Sequence, residues 1–98
     1  MRQDQALSEI LEEIRVLARR LPLTRWYGFG SYFKTEGSFG DIDVLAVCPT
    51  ADDALVVRAA TQHICARWPL HLVIMTEDEE KGTNFVVSEQ CVELLDWV

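Results

Sequence analysis

An α/β fold, a small mixed β-sheet with helices packed on it, is what this sequence predicts. Three observations carry the prediction. Short apolar runs fill 24–30, 41–48 and 70–75, at strand length. Stretches with apolar residues at helical spacing precede the first run and separate the second from the third. Pro22, Pro49 and Pro69 stand at the joints, where a regular element has to stop.

The elements follow in order. Residues 4–20 set Leu7, Ile10, Leu11, Ile14, Leu17 and Leu21 on one helical face, with charged residues on the other. Thr24 to Gly30 is short and rich in aromatics, and predicts a strand. Gly28 and Gly30 near its end leave room for a close approach to the backbone. Ser31 to Lys34 fits one helical turn, and Thr35 to Gly40 a loop. Asp41 to Cys48 predicts a second strand. A helix over 51–67, with Thr50 as N-cap and Asp53 at capping-box spacing, is expected to bury Leu55, Val56, Ala59, Ala60 and Ile64. Leu70 to Met75 predicts a third strand. Thr76 and Glu79 repeat the capping pattern, and Glu77 to Glu80 form an acidic first turn suited to a helix dipole. In the tail, Phe85-Val86-Val87 favours a strand, while Ser88 to Trp97 fits either a helix or a strand.

Composition narrows the function. The 98 residues predict a single domain, 1–98, with a thin core. No apolar run is long enough to cross a membrane. The polar first residues lack the apolar centre of a signal peptide, so a cytoplasmic protein is expected. The net charge of −7 argues against non-specific binding of DNA or RNA. A mononucleotide stays compatible, because a divalent cation can neutralise its phosphates. Cys48, Cys65 and Cys91 have no zinc-ligand spacing and read as buried free thiols. His63 reads as a surface histidine in mid-helix. Trp26, Trp68 and Trp97 read as core and edge packing.

The chemistry concentrates between 30 and 43. Gly30-Ser31 ends the first apolar run, and Asp41 and Asp43 open the second. Residues i and i+2 of a strand share a face, so the two carboxylates project together and suit a divalent cation between them. A helical turn begun at Gly30-Ser31 would offer free N–H groups and a hydroxyl to an anion. A triphosphate reaching from Ser31 to a Mg²⁺ on Asp41 and Asp43 implies nucleotidyl transfer, with pyrophosphate leaving.

This pattern, strand-Gly-Ser, a nine-residue gap, then Asp-Ile-Asp-Val, resembles the signature of the DNA polymerase beta-like nucleotidyltransferase superfamily. It is most similar to the small bacterial group, the minimal nucleotidyltransferases. The resemblance covers roughly 24–76 and implies a nucleotidyltransferase fold. It assigns Gly30 and Ser31 to the β- and γ-phosphates, and Asp41 and Asp43 to Mg²⁺ or Mn²⁺. Lys34 stands where many relatives carry an Arg, within reach of the triphosphate. The implied reaction transfers a nucleoside monophosphate from a nucleoside triphosphate, ATP first, to a hydroxyl on a protein or small molecule. The implied partner is a helical HEPN-type protein, as for antitoxin-like relatives, or a second copy of the chain. One position departs from the pattern. Active members commonly carry a third carboxylate on the next strand, and here His71 stands in its place, with Glu77 and Asp78 too far along to replace it. His71 reads first as a partly buried histidine with one hydrogen-bond partner, and otherwise as a general base, a ligand, or the mark of a degenerate site that keeps nucleotide or partner binding without turnover.

Overall fold

The computed structural model describes residues 2–30, 33 and 42–96. Helix α1 (Arg2–Arg20) is followed by strands β1 (Arg25–Phe29) and β2 (Ile42–Cys48). Helices α2 (Ala51–Ala60) and α3 (Gln62–Arg67) lead to strand β3 (Leu70–Thr76). Helix α4 (Glu77–Thr83), the single turn α5 (Phe85–Ser88), strand β4 (Val92–Glu93) and a 3₁₀ turn (Leu94–Asp96) complete the order. The four strands form one mixed sheet in the order β3-β2-β1-β4. β1 is antiparallel to β2 and to β4, while β3 is parallel to β2. A parallel neighbour requires a crossover, and α2 and α3 provide it.

Burial on both faces explains why β2 reads as an almost unbroken apolar run. Ile42, Val44, Ala46 and Cys48 face the larger core, shared with Ile10, Ile14, Val57 and Ile64 of the helices and with Trp26. Leu45 and Val47 face the other side, with Tyr27, Phe29, Val73, Met75, Phe85 and Val86. Asp43 is the one residue of β2 that is not buried. On α1, Leu7, Ile10, Leu11, Ile14 and Leu17 are buried as their spacing predicts. A hydrogen bond between Glu13 and His63 (3.3 Å) and an ion pair between Glu9 and Arg67 (3.6 Å) link α1 to α3. Both are exposed and contribute little beyond alignment.

Several expectations need correction. The helix expected over 51–67 is broken at Thr61, whose buried hydroxyl donates to the Val57 carbonyl at 2.8 Å. The helix also turns a different face inward. Val57 is buried, whereas Leu55 is 64% and Val56 44% exposed, and Ala59 is exposed too. Counting apolar residues alone favoured the wider Leu55–Val56 stripe. The interior instead takes Ala54, Val57, Ala60, Thr61 and Ile64, which keep helical spacing with small residues at the close approaches. Phe85-Val86-Val87 forms a helical turn, not a strand. Asn84 adopts a left-handed conformation (φ 54°) that ends α4 and redirects the chain. Phe85 then meets Phe29 edge-on, with ring centroids 5.0 Å apart. Helices thus cover both faces of the sheet, unequally. Of the thiols, only Cys48 is buried; Cys65 is exposed and Cys91 half-buried. Both N-caps form as predicted: Thr50 accepts from the Asp53 amide at 3.1 Å, and Thr76 and Glu79 complete a reciprocal capping box.

Candidate functional site

The site begins with strand register. Asp43 lies between Phe29 on β1 and His71 on β3. All three stand on the face opposite the larger core, at one end of the sheet. Phe29 is the last residue of β1, so the chain turns at Gly30 directly beside Asp43.

Gly30 has φ 77°, a left-handed backbone that a residue with a Cβ adopts at a cost. A Cβ there would also overlap the Asp43 carboxylate. The glycine therefore serves two ends: it permits the turn, and it lets the carboxylate lie against the backbone. Three residues on, the Phe33 amide donates to the Gly30 carbonyl at 3.2 Å. The Phe33 ring fills the space over Gly28, where a Cβ would come within 2.6 Å of it. Phe33 is itself buried in the larger core. Both glycines singled out by the sequence are thus close approaches, one to a carboxylate and one to an aromatic ring.

His71 reaches across the β2–β3 pair. Its Nδ1 lies 3.1 Å from Asp43 Oδ1. A carboxylate accepts, so Nδ1 carries the hydrogen, and no described residue engages Nε2. The imidazole is 61% exposed and the carboxylate 22%. His71 therefore points out of the core and stands as close to Asp43 as the sequence reading allowed.

Ser31, Lys34 and Asp41 lie outside the described residues. Among the described residues, no group of three or more His, Cys, Asp or Glu side chains converges as a metal cage. Asp43 and His71 supply one oxygen donor and one nitrogen donor. A single carboxylate beside a glycine turn fits half of a two-carboxylate cation platform, and Asp41, two residues upstream, is the sequence's candidate for the other half. Glu77 belongs to the far end of the sheet. With Arg25, Tyr27, Glu80 and Lys81 it lines a recess of about 200 Å³ on the same face as Asp43. The sequence reading missed this recess. Its only signal was Arg25, a charge in phase with Tyr27 and Phe29 along β1. Burial pushes the Cys48 thiol up. It therefore stays protonated, and it sits on the opposite side of the sheet, away from the site.

No protein-family model, no curated protein and no solved structure matches this chain. Among the described residues, no helix is long and apolar enough to cross a membrane.

Proposed function

We propose that the chain is a nucleotidyltransferase-like domain that binds a nucleoside triphosphate, ATP first, with Mg²⁺ or Mn²⁺, and transfers its nucleoside monophosphate to a hydroxyl. One observation carries the reading: the Gly30 turn is seated directly against Asp43. A phosphate grip and a metal carboxylate have to be neighbours for this chemistry, and a glycine with positive φ is what lets them touch. In this reading the backbone after Gly30 and the Ser31 hydroxyl hold the terminal phosphates, and Lys34 supports them. Asp43 and Asp41 hold the cation, which supplies charge neutralisation at the phosphates. His71, oriented by Asp43 through Nδ1, offers Nε2 to accept the proton of the attacking hydroxyl.

A second reading has its own observation. An imidazole occupies the position facing Asp43 where a further carboxylate would bind Mg²⁺ more strongly. The domain would then bind a nucleotide or a partner without turnover.

The deciding experiment joins thermal shift to label transfer. ATP with Mg²⁺ or Mn²⁺ is expected to raise the melting temperature, since a ligand of the native state stabilises it. The Asp43→Asn variant is expected to lose that shift while keeping its fold. Transfer of label from α-labelled ATP that disappears in Asp43→Asn supports the enzyme. A preserved shift without transfer to any hydroxyl acceptor supports the binding module. Absence of any shift with the wild-type chain rejects nucleotide binding altogether.

A further inference from the structure

The sheet ends in a strand whose outer side pairs with no described strand. β3 is seven residues long and, among the described strands, occupies the outer position and pairs only with β2. Its sequence, Leu-His-Leu-Val-Ile-Met-Thr, carries none of the features that keep edge strands apart. It has no proline, no lysine and no inward charge, and its pairing with β2 runs without a bulge. Every residue of β3 except His71 is half-buried, whereas the neighbouring β2 is buried almost throughout. A long, apolar, unprotected edge is a template for another strand.

The hydrogen-bond pattern states which groups are free. The Ile42 amide donates to the Pro69 carbonyl at 2.8 Å, and Ile42 stands opposite Leu70. In a parallel ladder this phase turns the N–H and C=O of His71, Val73 and Met75 towards β2. Those of Leu72 and Ile74 then point outward. Leu70 and Thr76 are less open, because the Leu70 amide donates to Trp68 and the Thr76 amide to Glu79. The usable edge is therefore Leu72 and Ile74, two donors and two acceptors, symmetric about Val73.

We propose that β3 pairs antiparallel with β3 of a second copy about a two-fold axis at Val73, joining the two four-stranded sheets into one. In this register Leu72 of each copy exchanges both backbone bonds with Ile74 of the other, and all four outward groups are satisfied. Antiparallel pairing also sets the acidic Glu77–Glu80 turns of the two copies at opposite ends of the joint, where a parallel pairing of this acidic molecule would bring them together. A two-fold axis normal to the sheet keeps each face continuous. Both Asp43–His71 pairs then lie on the same side, with His71 opposite Met75 of the second copy. The inference stands independently of nucleotide binding.

Light scattering after size exclusion is expected to give a dimer for the wild-type chain at tens of micromolar. Register is read by disulfide trapping in a Cys65→Ser, Cys91→Ser background. Val73 would face its own symmetry mate as a non-hydrogen-bonded pair, with Cα atoms about 4.5 Å apart. That lies inside the disulfide range of about 4.4–6.8 Å. Val73→Cys is expected to cross-link to dimer under mild oxidation, while Leu72→Cys, offset from its mate, stays unlinked. Leu72→Pro, which removes an outward donor and leaves the β2 ladder intact, is expected to be monomeric. A wild-type monomer at these concentrations overturns the proposal. So does trapping at Leu72→Cys as fast as at Val73→Cys.

Discussion

Asp43 and His71 are the pair on which the proposed chemistry turns, and their contact can be tested by changing its sign. At present an imidazole donates to a carboxylate at 3.1 Å. His71→Asp would set two carboxylates at that separation, where they repel unless a cation bridges them. The expected cost is about 1 kcal/mol without metal, or roughly 4–8 °C in melting temperature for a domain of this size. Mg²⁺ or Mn²⁺ should return more of that loss than the same ions add to the wild-type chain. Melting curves in chelator and in each cation measure it. An equal cation shift in both proteins would remove Asp43 as a metal ligand. The pair also shows what a sequence conveys at this scale. The third-strand position of His71 beside Asp43 was legible, while the pairing of Asp43 with Asp41 rests on a residue outside the described ones. The Gly30–Asp43 approach was legible only as an available space, because a glycine announces room without saying what fills it.

At the scale of elements, the α2 face is the sharpest contrast between expectation and structure. Val57 is fully buried and Leu55 is 64% exposed, although Leu55 is the larger side chain. Val57→Ala should therefore cost about 2–3 kcal/mol, from lost transfer energy and the cavity left behind. Leu55→Ala should stay within about 0.5 kcal/mol, as for a surface position. Urea titrations of the two variants decide it, and the reverse ranking would restore the stripe that apolar counting favours. Elements with independent local signals were legible: α1 from its period, the three long strands from their apolar runs, and both caps from Thr50 and Thr76. The tail was not. Phe85-Val86-Val87 carries strand propensity, and only the left-handed Asn84 with the Phe29 contact turns it into a helical turn. Those are tertiary facts, and propensity yields to them.

For the whole molecule, charge and edge make separate statements. The net charge of −7 opposes non-specific binding of a polyanion. A single-stranded DNA or RNA probe should show no retardation with this protein even at low salt, whereas ATP with a divalent cation remains a permitted ligand. A retarded probe would show a local basic surface that the net charge conceals. The two sides of the sheet also differ in task. The larger core holds α1, α2 and α3, while the opposite face carries Asp43, His71 and the recess beside Arg25. Phe33 crosses that division. Its ring belongs to the larger core, yet it lies three residues beyond Gly30 and bonds back to it. Gly30, beside Asp43, is thus moored from below through Phe33. Gly30 is held against Asp43 by the fold itself, so under the proposed function a ligand would meet that approach ready-made and spend none of its binding energy on forming it. Loosened packing in the larger core would reach Gly30 through that mooring, without any change at Asp43 or His71.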